Sequence, residues 1–196
     1  MDYSALFDRI LSAVDETAYL PLADAVQAEQ RDAMESIELR LRGPFDVDEL
    51  RAYTRDLHER GAIDAVMLHS ALHVIAASPK VRDYDEAARC AADQEIAAIR
   101  LGGPNLSANL ASVDRHRGVL AFMLHNYEVA LDYFTRAFER QRTPGNLANV
   151  LATLLRTGDE QEAVDLLQQV RDTFPAPLIA SLDSMIANDP DLALLR

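Results

Sequence analysis

An all-α fold of stacked helical pairs is predicted by three features of the sequence. The first is internal self-similarity. Residues 117–142, RGVLAFMLHNYEVALDYFTRAFERQR, and residues 150–175, VLATLLRTGDEQEAVDLLQQVRDTFP, share one pattern, and superposing Ala130 on Ala163 sets a period of 33 residues. Gly118 then meets Leu151, Phe122 meets Leu155, Asn126 meets Asp159, Phe134 meets Leu167 and Ala137 meets Val170. A helix, a short polar turn and a second helix at this period mark a solenoid whose units bury their apolar faces only against neighbours. The second feature is punctuation. The eight prolines and most of the seven glycines fall between periodic segments, leaving stretches of ordinary helix length. The third is composition: 31 alanines, 49% hydrophobic residues and only 6% aromatics favour helix over strand.

The segments follow in order. Residues 2–14 carry Leu6, Phe7, Ile10, Leu11 and Val14 on one side, and residues 21–42 carry Leu22, Val26, Ala33, Ile37 and Leu41 at helical spacing. Asp46 followed by Glu49 is a capping-box-like start for a helix over 46–60. These first 60 residues match no repeat and form a divergent helical pair with a cap, or a small bundle. A looser copy of the repeat is Asp83-Tyr84-Asp85-Glu86-Ala87, with the apolar segment 62–77 as its first helix. Residues 176–188, with Leu178, Ile179, Leu182 and Ile186, form a terminal helix that hides the apolar end of the last repeat. The organisation expected is therefore an N-terminal segment 1–60, repeats over 61–175, and a capping helix with a tail over 176–196.

The repeated pattern resembles the tetratricopeptide repeat. In the first copy the resemblance rests on Gly118, Asn126-Tyr127-Glu128-Val129-Ala130, Phe134 and Ala137; in the second, on Gly158-Asp159, Glu162-Ala163-Val164, Leu167 and Pro175. It covers about residues 62–175. The resemblance implies a right-handed α-α solenoid whose first helices line an inner, concave surface. Carried over by position, that surface takes Arg115, His116, Val119, Phe122 and Met123 from one copy, and Ala148, Asn149, Ala152, Leu155 and Arg156 from the next. Some members grip a peptide carboxylate with Lys and Asn at such places. Asn149 fits, but neither copy holds a lysine. Arg117 stands where the family has Leu, and Asp114 replaces a bulky aromatic. An Asp114–Arg117 ion pair at i, i+3 on one helix is expected, or a seam that receives a partner's carboxylate.

Charge narrows the function. The formal charge is −13 and the pI about 4.7, whereas phosphate neutralisation needs a basic face, so no nucleic-acid partner is expected. Lys80 is the only lysine beside 18 arginines; with the alanine content this suggests a GC-rich bacterial origin. The start MDYSALFDRI lacks the basic and apolar stretches of a signal peptide, and no stretch reaches the roughly 18 apolar residues of a membrane span. The single Cys90 excludes an internal disulfide and reads as a small buried thiol. A cytoplasmic protein is expected.

Catalytic chemistry has few footholds. His69 and His73 are four apart, as two helical zinc ligands would be. Ser70 stands where a metalloprotease needs Glu. On a wheel centred on Ile63, Met67 and Val74 both histidines fall on a polar flank, without a further ligand. No nucleophile elbow or phosphate loop is present. The expectation is no catalytic residue, no metal and no cofactor. The chain reads as a non-catalytic interaction module (adaptor, assembly factor or chaperone-like), binding a protein, peptide or helix through Arg115, His116, Val119, Phe122, Asn149, Ala152 and Arg156. Small acidic chaperones of bacterial secretion systems are similar in size and repeat type. The alternatives are a helical enzyme or metal-binding protein using the N-terminal helices, and a self-associating scaffold or homodimer whose groove holds its own tail, residues 191–196.

Overall fold

A computed structural model describes residues 3–11 and 28–196; Val14, Leu22 and Val26 of the sequence pattern lie outside the described residues. Among the described residues the regular structure is entirely helical: α1 (Ser4–Leu11), α2 (Ala28–Arg42), α3 (Val47–Glu59), α4 (Ala65–Ala77), α5 (Tyr84–Leu101), α6 (Leu106–Met123), α7 (Tyr127–Arg140), α8 (Pro144–Thr157), α9 (Glu160–Thr173), α10 (Ala176–Asn188) and a 3-10 turn (Pro190–Leu195). None of these helices is long and apolar enough to cross a membrane.

Polar side chains start the helices where the sequence places them. Asp46 Oδ1 accepts from the Glu49 amide at 2.9 Å, Asp64 from Met67 at 2.8 Å, and Asp83 from Glu86 at 2.9 Å. Each satisfies one of the orphan amides of a first turn.

The helix–turn–helix junctions repeat at the level of the backbone. Arg82 (φ 55°), His125 (φ 60°) and Gly158 (φ 84°) occupy the left-handed region. Each is followed by a helix N-cap of nearly constant geometry: Asp83 (φ −88°, ψ 82°), Asn126 (φ −91°, ψ 70°) and Asp159 (φ −91°, ψ 55°). In the last two turns the bonding is the same. Asn126 N donates to Ala121 O at 2.9 Å and Asp159 N to Leu154 O at 3.0 Å; His125 N donates to Phe122 O at 3.0 Å and Gly158 N to Leu155 O at 3.2 Å. This is the paired bonding that closes a helix through one left-handed residue. Four residues after each N-cap stand Ala87, Ala130 and Ala163, all without solvent exposure.

Packing divides the chain into two compact units, the boundary falling inside α6 after Leu120. In the unit that ends at Leu120, α2, α3, α4 and α5 enclose Ile37, Leu50, Leu57, Ile63, Leu72, Ile75 and Cys90. Burial pushes the Cys90 thiol up to about 11, with Glu86 and Asp93 adding to the shift, so the thiol is the inert, buried group expected. α4 corrects one expectation. Val74 is 42% exposed and His73 only 1%, the reverse of a wheel centred on Val74. The helix AVMLHSALHVIAA is apolar almost all round, so its neighbours, not its periodicity, select the buried face.

The other unit joins the described part of residues 1–20 to 121–196. α7 packs on α8, α8 on α9 and α10, and the 3-10 turn on α8, α9 and α10. Phe138 stacks on Phe174 with centroids 5.8 Å apart. The Asn146 amide donates to Ala137 O at 3.2 Å and Gln141 O at 2.8 Å, closing the end of α7 against the start of α8. Distant in sequence, α1 seats on α7 and α9. Ile10 is fully buried, the Tyr3 hydroxyl donates to Asp159, and Arg9 forms a two-pronged pair with Glu139 at 2.7 and 2.9 Å.

Ala130 and Ala163 are fully buried. Ala130→Leu and Ala163→Leu are each expected to lower stability by about 1–3 kcal/mol, read as a shifted urea midpoint, while Val129→Leu at an exposed site leaves the midpoint unchanged. Gly158 has open space around a Cβ but a φ of 84°, so Gly158→Ala should cost about 1 kcal/mol through backbone strain alone.

Candidate functional site

The residues expected to face a partner are divided between the two units. Arg115, His116 and Val119 lie on α6 in the first; Phe122, Asn149, Ala152 and Arg156 lie in the second. Arg115 is exposed, and Val119, Phe122, Asn149 and Ala152 are half-buried. Phe122 meets Tyr127 edge-to-face with centroids 5.3 Å apart. Arg156 is exposed and its guanidinium pairs with Asp191 of the 3-10 turn.

His116 departs from the set. It is 5% exposed, because its ring turns inward to partners on two other helices. Its Nδ1 lies 2.8 Å from Gln94 Oε1 on α5, and its ring stacks on that of His73 on α4, centroids 4.2 Å apart and planes within 17°. Arg117 Nη2 donates to Glu95 Oε2 on α5 at 2.7 Å. Asp114 is buried, 4% exposed.

The histidines belong to a buried polar chain. Carbonyl oxygens only accept, so each Nδ1 carries the proton. His73 Nδ1–H donates to Ala87 O at 2.9 Å and His116 Nδ1–H to Gln94 Oε1. The Gln94 amide nitrogen donates to Ser112 Oγ at 3.2 Å, which also accepts from Arg115 Nη2 at 3.4 Å. Both Nε2 atoms are then bare lone pairs, and that of His73 is sealed from solvent without a hydrogen-bond partner. Burial lowers the pKa of His73, and the charge of Arg115 lowers it further against the opposing bond to Ala87. Burial holds His116 well below the ordinary histidine value, with His73 and Arg115 adding to the effect.

Chemically, this cluster offers hydrogen-bond acceptors rather than a ligand cage. Among the described residues, no three His, Cys, Asp or Glu side chains come together so as to hold a metal ion. His69, half-buried, is not the neighbour of His73 that matters; His116 is. Gln94 carries the only signal the sequence offers. It is the one amide on the otherwise apolar buried face Ala87, Cys90, Ala91, Gln94, Ala98 of α5, and a buried amide requires partners.

The stack has a defined acid response. In the unfolded chain both imidazoles titrate near pH 6.5, whereas in the folded chain both are held below it. Above that pH neither state takes up a proton and the full stability is present. As pH falls below it, the unfolded state gains protons that the folded state refuses, so stability falls by up to about 1.4 kcal/mol per pH unit for each histidine, until the folded-state pKa is reached. Urea denaturation at pH 7.5 and pH 5.5 should show this loss, and His73→Leu/His116→Leu should make it shallower.

Comparison with protein-family models, with curated proteins and with solved structures finds no match for this chain.

Proposed function

We propose that this chain is a non-catalytic protein–protein interaction module, a tetratricopeptide-like α-α solenoid that binds a peptide or helix of another protein in the cytoplasm. The observation that carries the reading is the repeated junction. A left-handed residue, an N-cap near φ −90°, and a fully buried alanine four positions later recur at Arg82-Asp83-Ala87, His125-Asn126-Ala130 and Gly158-Asp159-Ala163. Units built alike and stacked on neighbours create surface for recognition more readily than a closed pocket for chemistry. With His116 buried and Arg156 engaged by Asp191, the residues proposed to face a partner are Arg115 and Val119 in one unit and, separately, Phe122, Asn149 and Ala152 in the other.

A metal-binding helical protein is the second reading, favoured by the orphan Nε2 of His73. Metal analysis of untagged protein separates the two, because stoichiometric metal lost on His73→Ala supports the second.

The test of the first reading is affinity capture from the native host with quantification of the bound protein. Arg115→Glu and Asn149→Ala should weaken capture by about ten-fold to a hundred-fold, equivalent to about 1–3 kcal/mol, with Tm nearly unchanged for Asn149→Ala. Normal capture by both variants, together with loss of capture on changing exposed α9 residues such as Val164 and Gln168, would reject this surface.

A further inference from the structure

α8 carries Asn149 and Ala152, proposed to face a partner, together with Arg156, and residues 190–195 already pack on this helix. Residues Pro190–Leu195 form a 3-10 turn that contacts α8, α9 and α10. Leu192 is fully buried and Leu195 is 7% exposed, whereas Leu194 between them is 63% exposed. Leu192 and Leu195 therefore point into the fold at i, i+3 and Leu194 points to water. Immediately before them Asp191 pairs with Arg156 of α8. Residues 191–195 thus pack as Asp-Leu-x-x-Leu: one carboxylate against one guanidinium, followed by two buried leucines one turn apart.

The occupant is attached in a way that permits exchange. A single extended residue, Asp189 (φ −91°, ψ 120°), separates the turn from α10. The turn's own bonds are few: Asp191 N and Leu192 N both bond Asp189, through its side chain at 2.9 Å and its carbonyl at 3.2 Å. Arg196 adds contacts to Ile186 O at 3.1 Å and Asp189 O at 3.2 Å. The Arg156–Asp191 pair is itself half-exposed, 52% and 40%. Water competes there, so the pair sets register more than affinity.

From these contacts we infer that the α8 surface beside Arg156 is a receptor for a short Asp-Leu-x-x-Leu segment of a partner protein, which binds by exchanging with residues 190–196. The inference rests on the interaction-module reading and deepens it by naming the partner's chemistry. Occupancy by the tail lowers the apparent affinity for a partner by the fraction of molecules in which the surface is open. Capture is thereby reserved for segments that match the pattern.

The test uses a fluorescein-labelled peptide of sequence DPDLALLR and the full chain, read by anisotropy. The Leu192→Ala/Leu195→Ala chain, in which the tail is loosened, is expected to bind the peptide at least about ten-fold more tightly than the unchanged chain. A peptide with both leucines replaced by alanine should not bind. Adding Arg156→Glu to the loosened chain should weaken binding several-fold, and a peptide with Arg in place of its second Asp should recover it. Absence of peptide binding to a loosened chain that keeps its circular dichroism, or equal binding of both peptides, overturns the inference. Should the loosened chain unfold, hydrogen exchange in the unchanged protein decides. The amides of residues 191–195 must exchange faster than those of α8 and α10, and exchange only with global unfolding overturns the inference. A concentration-dependent dimer that the peptide dissociates assigns the surface to a second copy and also overturns the partner reading. Failed peptide binding with Arg115 and Asn149 still governing capture rejects this inference alone. The opposite result rejects the proposed surface and leaves the α8 receptor standing.

Discussion

Close approach between α4 and α5 is the constraint on which the first unit depends. The two helices come near enough for an imidazole on one to bond a main-chain carbonyl of the other, His73 to Ala87 at 2.9 Å. Both helices are rich in small buried residues: Ala71, Ala76 and Ala77 on α4, and Ala87, Ala91 and Ala98 on α5. Alanine adds little side-chain entropy cost and keeps helix propensity high, so the chain gains a tight interface without weakening either helix. The same small residue recurs at Ala130 and Ala163 with no exposure, each four positions before a buried large residue, Phe134 or Leu167. Polar groups brought inside must then find partners: Gln94 bonds both His116 and Ser112, while Nε2 of His73 has none.

The helices were the most legible part of the sequence, for identifiable reasons. α10 spans Ala176–Asn188 because Pro175 and Pro190 bracket one apolar periodic stretch. α3 begins after Asp46 because its carboxylate reaches the Glu49 amide. Both are local signals, fixed within a turn or two of chain. The 33-residue register proved informative beyond helix positions: it paired His125 with Gly158 and Asn126 with Asp159, and these pairs share backbone conformation. In each pair the conformation is imposed by the closing turn. His125 adopts it with a Cβ, at a cost that the two main-chain bonds of the turn offset.

The buried cluster was not legible, and the cause is distance along the chain. His116 donates its hydrogen bond to a residue 22 positions earlier and stacks on His73, farther still. A helical wheel assigns faces from one helix alone, and α6 carries Asp114, His116 and Arg117 among apolar residues with no clean stripe. Arg115, the neighbour of His116, is exposed, yet the imidazole beside it is buried. Arg117 likewise met Glu95 across the gap to α5. For Arg156 the missing information lay downstream, in a tail whose Asp191 had no recognisable role in the repeat pattern.

The seat of α1 has a consequence for the order of events during synthesis. Tyr3 bonds a residue 156 positions later, and Arg9 one 130 positions later. Residues of α1 therefore leave the ribosome long before α7 and α9 exist to receive them. At usual elongation speeds of about 5–20 residues per second, Ile10 waits roughly 7–30 s for its site. An eight-residue helix is too short to persist alone in water, so through that interval the segment travels as unstructured chain with an apolar face available to whatever it meets. α7 and α8, by contrast, are joined by Asn146 across only a few residues and need nothing that has not just been made. Assembly of this unit thus runs from its middle outward, with its earliest-synthesised helix added after α9.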